Sequence, residues 1–145
     1  MGFYYRYSIS SDRPTNSIKL KSIGDFLRFR RKIANFYKKA LGVIKEIALP
    51  HELADGRHTF NQYTIRLKGR DELFEFLKVR GISSMVYYPL SLHLQKAFSH
   101  LNYRQGDFPQ SELAQQEVLS LPIFPELKED ELELVASSIK EFFKR

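Results

Sequence analysis

The chain has 145 residues, of which 43% are hydrophobic, 14% aromatic and 28% charged. A chain of this length can bury one self-sufficient core, and its apolar content predicts a single folded domain rather than a disordered segment. No apolar run approaches the roughly 18 residues of a membrane span, and the N-terminus lacks the apolar core of a secretory signal, so we expect a cytoplasmic protein. The absence of cysteine excludes disulfides, thiolate catalysis and cysteine-based metal sites.

The formal net charge is +6, and the charges are unevenly distributed. Basic side chains concentrate in residues 19–45, whereas residues 107–133 are acidic. A basic run of this kind indicates either a polyanion partner such as nucleic acid or the solvated face of a helix. Apolar residues recur at helical spacing within the same run, so we favour the solvated face and expect no nucleic-acid partner.

The first half of the chain predicts one long helix followed by strands. Apolar spacing predicts a helix over residues 23–41, with Ser22 and Asp25 as a capping box and Gly42 as its end. Residues 43–49 predict a short strand, and the Asp55-Gly56 pair favours a turn that makes a hairpin plausible. Alternation of apolar and polar residues over 59–67 predicts the next strand.

The second half alternates helices with one more strand. We expect a helix over residues 70–80, a strand over 82–88, a helical turn near 93–98, and a helix from an Asp107 cap to about Leu119. An apolar connector at 121–125 precedes a final helix over 128–143. This order predicts an α+β, or mixed α/β, fold in which a small antiparallel or mixed sheet packs against several helices.

The chain shows no motif for catalysis on its own. The four histidines have no pair at the spacing of a helical metal site, so we expect no metal, and neither a glycine-rich phosphate loop nor a nucleophile elbow is present. Tyr87 and Tyr88 stand beside Pro89 at the end of a predicted strand. Such phenols either contact a planar ligand or sugar, or fill the core beside an edge strand.

Five segments resemble, in their order along the chain, the motifs of one protein family. They are RR-x-IA-x-x-Y at 30–37, NQYTIR at 61–66, GI-x-x-x-VYYP-x-x-LHLQ at 81–95, GDFP-x-x-E at 106–112 and LSLPIFP at 119–125. From about residue 23 to residue 143 the chain is similar to the C-terminal portion of the DegT or StrS family of nucleotide-sugar aminotransferases. The resemblance implies a small domain at residues 22–145, preceded by an arm at 1–21 that is similar to the end of the large domain.

The resemblance also implies a fold, a cofactor and a set of site residues. Family members are similar to aspartate aminotransferase: a large domain holds pyridoxal phosphate on a lysine, and the small domain packs against it in a homodimer. By the same resemblance Arg6, Tyr87 and Tyr88 reach substrate or cofactor. Asn61 and His93 match motif positions that serve either the site or the architecture of their loops.

Departures from the family pattern change the functional expectation. The printed chain begins where the large domain would be ending, and none of its lysines stands in the context of the cofactor-binding lysine. Tyr4 replaces the family's asparagine that donates to the cofactor phosphate, and Pro14 would interrupt the helix that follows. We therefore expect a small domain with no catalytic residue and no cofactor of its own, unable to transaminate alone.

Several partners and roles follow from this expectation. An apolar face would dock on a separate large-domain chain, or pair in a homodimer, and the ligand would be a nucleotide-sugar. The alternatives are a non-catalytic descendant that binds a sugar nucleotide or regulates a relative, a gene remnant, and a basic helix that binds an unrelated polyanion.

Overall fold

The structure, a computed structural model, describes residues 20–144. The elements of this part of the chain are the α-helices Ile23–Leu41 (α1), Arg70–Val79 (α2), Pro109–Glu117 (α3) and Glu129–Phe142 (α4), the 3-10 helices Leu92–Leu94 and Lys96–Leu101, and the strands Tyr63–Arg66 (β1) and Val118–Leu121 (β2). This is the α+β fold that the sequence predicts. The predicted arm at residues 1–21 lies outside the described residues except for its last two.

The sheet is antiparallel and narrow. Strands β1 and β2 pair along all four of their residues. Single antiparallel bridges widen the sheet on either side, from Ala48 to Arg66 of β1 and from Met85 to Ser120 of β2. The strands predicted at 43–49 and 82–88 are therefore wrong in extent, because each contributes one bridge, and β1 covers only part of the predicted 59–67.

One hydrophobic core lies between the sheet and three of the helices. Helix α1 packs against α4, α4 packs against α2, and α2 also contacts β2. Each of these elements buries an apolar stripe, as expected for amphipathic segments. The side chains that are completely inaccessible to solvent are Tyr37, Leu41, Ile65, Leu73, Leu77, Leu119 and Ile139.

Helix α1 has the predicted boundaries, but its ends are formed differently. Ser22 makes no side-chain capping bond, and Gly42 has a right-handed backbone with φ of −64°. Gly42 is needed for space instead: a Cβ atom there would lie 2.6 Å from the carbonyl oxygen of Lys38. The glycine thus allows the chain to turn tightly against the last turn of the helix.

The helix predicted from Asp107 to Leu119 is wrong at both ends. Helix α3 has Phe108 as its N-cap, and the chain leaves the helix after Glu117 to form β2. Hydrogen bonding to β1, which lies more than 50 residues earlier, competes successfully with helix continuation at these positions. Strand β2 then delivers the completely buried Leu119 to the core.

No helix between residues 20 and 144 is long and apolar enough to cross a membrane. Over the same stretch of chain, no group of three or more histidine, aspartate and glutamate side chains is arranged to hold a metal ion.

Candidate functional site

Three clefts follow one another across the face that carries Tyr87 and Tyr88. The Asn61 cleft, of about 240 Å³, is lined by Asn61, Tyr87 and the connector after β2. The tyrosine cleft, of about 230 Å³, lies between the two tyrosines and α3. The aromatic cup, of about 330 Å³, is lined by Leu92, His93, Phe98, Leu101, Tyr103, Phe108 and Ser111. Neighbouring clefts share lining residues, so the three form one continuous surface.

Tyr87 and Tyr88 both face solvent. Their exposed fractions are 41% and 64%, and their ring centroids lie 6.2 Å apart in an edge-to-face arrangement. This exposure excludes the alternative in which the two rings fill the core beside an edge strand. The phenols are therefore free to offer a ring face and a hydroxyl to a ligand in the first two clefts.

Asn61 lies in the same cleft as Tyr87, although 26 positions separate them in the sequence. Its side-chain carbonyl accepts a hydrogen bond of 3.1 Å from Nη1 of Arg30 in α1. This bond fixes the orientation of the amide and leaves its NH₂ group to donate elsewhere. The structure thus brings two of the predicted site residues together.

His93 lies in the aromatic cup and is almost completely buried. Its Nε2 atom lies 3.0 Å from Oε1 of Glu112, and the two side chains are 7% and 12% exposed. The imidazole ring also packs on Phe108, with 4.8 Å between ring centroids. This environment makes His93 part of the internal support of its loop, and a contact with ligand stays a prediction.

Glu112 is the centre of that support. Its Oε1 atom accepts hydrogen bonds from the backbone N–H groups of Gly106, at 2.8 Å, and Phe108, at 3.4 Å, besides its contact with His93. The Gly106 bond, followed by the His93 and Phe108 bonds, lowers the pKa of Glu112 despite the opposing effect of burial. The carboxylate therefore holds the loop against the first turn of α3.

Two other side chains, Gln115 and Arg70, also position this face, although no sequence pattern selected them. Gln115 accepts a hydrogen bond of 2.6 Å from the backbone N–H of Ser91. Arg70, buried at the start of α2, donates to the carbonyls of Gln115 and Val118 at the end of α3. Glu112 could have been found from its place in the GDFP-x-x-E motif, whereas Arg70 lies in no motif. The predicted site residue Arg6 lies outside the described residues.

The basic run of α1 is largely engaged in contacts within the fold. Arg31 makes two bonds to the carboxylate of Glu52, at 2.7 and 3.2 Å, and a third to the carbonyl of His58. The Arg31 guanidinium, with the backbone N–H of His58, lowers the pKa of Glu52. Lys32 pairs with Glu129 at the start of α4. These contacts agree with a helix face that serves the protein's own structure.

Solved aminotransferase structures share this fold over most of the chain. Residues 16–140 match the model of the DegT/DnrJ/EryC1/StrS aminotransferase family. The chain belongs to that family.

Individual relatives are similar over most of this chain but over only part of their own length. The pleiotropic regulatory protein of Geobacillus stearothermophilus is 45% identical over 130 residues, which are 88% of this chain and 35% of that protein. The UDP-N-acetyl-3-dehydro-alpha-D-glucosamine 3-aminotransferase of Acidithiobacillus ferrooxidans is 40% identical over 111 residues, which are 77% and 29%. The crystal structure of DesV from Streptomyces venezuelae in complex with a ketimine intermediate superposes with a TM-score of 0.86 at 30% identity, over 89% of this chain and 35% of DesV. The chain thus spans about a third of the length of these relatives.

The described residues do not fit pyridoxal phosphate, the cofactor that the family implies. A lysine that condenses with the aldehyde of the cofactor is activated by desolvation or by a neighbouring cation. Every lysine from residue 20 to residue 144 is exposed, except the half-buried Lys140. None of these side chains lines the three clefts. The lysines of the described residues are therefore not placed to form that bond in these clefts.

Proposed function

We propose that this chain is the small domain of a keto-sugar aminotransferase and acts only together with a large domain that binds pyridoxal phosphate. The substrate is a nucleotide-linked keto-sugar, to which the assembled enzyme transfers an amino group. The likeness to DesV carries this proposal, because it covers 89% of this chain and only 35% of DesV. The exposure of the described lysines supports the dependence on a second domain.

The contribution of this chain is to bind and orient the sugar. In the Asn61 cleft, the amide NH₂ group of Asn61 and the hydroxyl of Tyr87 are donors for sugar hydroxyls, and the exposed ring of Tyr87 offers an apolar face. The exposed ring of Tyr88 offers a second apolar face in the adjoining tyrosine cleft. Arg30 keeps the Asn61 amide in place. The amino-transfer chemistry belongs to the large domain.

A chimeric enzyme tests the proposal. In the Acidithiobacillus ferrooxidans enzyme, this chain replaces the stretch that it matches, and the chimera is assayed with the substrate in that enzyme's name. We expect the chimera to aminate this substrate faster than a host enzyme from which the matching stretch has been deleted. We expect Asn61→Ala and Tyr87→Ala to raise KM by about 5- to 30-fold, the equivalent of one or two hydrogen bonds.

The control is Val79→Ala, a change at a residue that is 86% exposed and lines none of the three clefts. It should leave KM unchanged. A folded chimera without turnover, or one in which all three variants behave alike, contradicts the proposal.

A second candidate function is regulation without amino transfer. The name of the Geobacillus stearothermophilus relative, a pleiotropic regulatory protein, favours it. In that case the chain should bind a sugar nucleotide, which calorimetry with UDP-N-acetylglucosamine measures. The folded chimera should then show no amino transfer. The cytoplasmic location and the small-domain boundaries at 22–145 stay predictions in either case.

A further inference from the structure

Residues 89–117, which we call the lobe, place several of their polar side chains inside. Ser91 is buried, and the side chains of His93 and Glu112 are 7% and 12% exposed. The backbone N–H of Ser91 donates to Gln115 and the Ser91 hydroxyl accepts from Ser111, while His93 bonds to Glu112. The loop that precedes helix α3 is therefore held against that helix mainly by hydrogen bonds.

The apolar side chains of the lobe point outward instead. Large hydrophobic residues are normally buried, and a cluster of exposed ones marks an interaction site. The exposed large hydrophobic side chains of the lobe are Leu90, Leu92, Phe98, Leu101, Tyr103, Phe108 and Leu113.

The same surface is poor in charge. The lining of the aromatic cup contains no lysine, arginine or acidic residue, whereas 28% of the whole chain is charged. Depletion of charge with enrichment of tyrosine and phenylalanine is typical of the centre of a protein–protein interface. A polyanion would require basic side chains here, so the composition favours a protein partner.

We propose that the aromatic cup receives an apolar side chain from the polypeptide that completes the aminotransferase, and that this contact is the energetic centre of domain docking. The inference rests on the proposed function. About two thirds of each relative lies outside the stretch that matches these 145 residues. A polypeptide of that size is large enough to cover the aromatic cup. Because hydrogen bonds to α3 already hold the lobe in shape, docking costs little ordering of the loop.

Hydroxyl-radical labelling followed by mass spectrometry tests this inference. Labelling rates at Phe98, Leu101 and Tyr103 are compared between the chain alone and the chimera described above. We expect these rates to fall several-fold in the chimera. The rate at Leu53, which is 68% exposed in a loop far along the sequence from the lobe, should stay the same.

Matched variants locate the contact. In the chimera, Leu101→Ser should weaken docking by about 5- to 30-fold, as for a residue at the centre of an interface, and labelling of Tyr103 should return toward its rate in the chain alone. Leu53→Ser makes the same chemical change outside the lobe and should have no such effect.

Each outcome decides between the two proposals. An active chimera in which the cup is labelled as in the chain alone overturns this inference and leaves the proposed function standing. Labelling that falls when the chain alone is concentrated identifies a second copy as the occupant and also overturns it. Failure of the chimera to fold, both in this host and in a DesV host, overturns both proposals.

Discussion

The substitution Arg70→Met tests whether one buried guanidinium attaches the lobe to the core. Arg70 is 8% exposed and donates from Nη1 to the carbonyl of Val118 at 2.9 Å and from Nη2 to the carbonyl of Gln115 at 3.1 Å. Its Nε atom bonds to the carboxylate of Asp71. Methionine fills much of the same volume but donates no hydrogen bond, so both carbonyls lose their donor.

The expected loss follows from those two bonds. A hydrogen bond to a charged group contributes about 1.5–3 kcal/mol, so the free energy of unfolding should fall by about 3–6 kcal/mol. For a domain of this length the melting temperature should fall by about 10–20 °C. Urea unfolding followed by circular dichroism measures the free energy, and hydrogen exchange should show faster exchange in residues 89–117.

Arg80→Met is the matched control. Arg80 also makes two bonds, to Glu141 at 2.7 and 2.6 Å, but this pair lies at the surface, with side chains 31% and 52% exposed. Surface ion pairs contribute about 1 kcal/mol or less. If Arg70→Met costs no more than Arg80→Met, or if the lobe exchanges at its original rate, Arg70 does not anchor the lobe.

Five further substitutions test individual contacts. Glu112→Gln should remove the acid sensitivity of the lobe, because hydrogen bonds within the loop lower the pKa of Glu112. The stabilisation by these bonds is present above the ordinary pKa of 4.5 and is lost as the pH falls through the lower pKa of the folded state. Hydrogen exchange in the lobe as a function of pH measures this loss. In thermal melts, Gly24→Ala, which meets open space, should stabilise by about 0.5 kcal/mol, whereas Gly42→Ala should destabilise because its Cβ would meet a carbonyl oxygen. Tyr37→Phe should cost about 1–2 kcal/mol in urea unfolding, because the completely buried hydroxyl donates to a carbonyl at 2.9 Å, and Tyr63→Phe should cost less.

The tyrosines also predict a dependence on alkaline pH. Burial raises the pKa of Tyr37, and it raises the pKa of Tyr63 to about 12. Their stabilisation is complete below the ordinary value of 10.0 and decreases as the pH rises toward the folded values. Three results would contradict these contacts. The first is a free energy of unfolding that does not change above pH 10.0, and the second is an acid dependence of Glu112→Gln equal to that of the unchanged protein. The third is an equal effect of the two glycine substitutions or of the two tyrosine substitutions.

The helices could be predicted well because their information is local. The spacing of apolar residues reproduces both ends of α1, and it places α2 and α4 within one residue of their observed boundaries. An amphipathic stripe is contained within the segment that forms the helix, so no knowledge of distant partners is needed.

The strands could not be predicted as well because their partners are distant in the sequence. Val118 and Leu119 lie in the helix that the pattern predicts, and only pairing with β1 makes residues 118–121 a strand. The strand-like runs at 43–49 and 82–88 each form a single bridge to the narrow sheet. Pattern alone indicates a tendency, whereas the length of the partner decides the extent of pairing.

The motif residues divide into some that line the clefts and others that support them. Asn61 and Tyr87 share a cleft, whereas Arg30 bonds to Asn61, Arg31 bonds to Glu52 and Glu112 bonds to its own loop. A motif records that a residue type matters at a position, but it does not separate contact with a ligand from support of a loop. Only the structure shows that His93 belongs to such a support.

Borohydride reduction in the presence of pyridoxal phosphate measures most directly whether this chain depends on another domain for amino transfer. Mass spectrometry then locates any lysine that carries the reduced cofactor. We predict no specific adduct on the 145-residue chain alone, and in the chimera one adduct on a lysine of the host portion. A stoichiometric adduct on a single lysine of this chain, in either sample, would contradict the proposed division of labour.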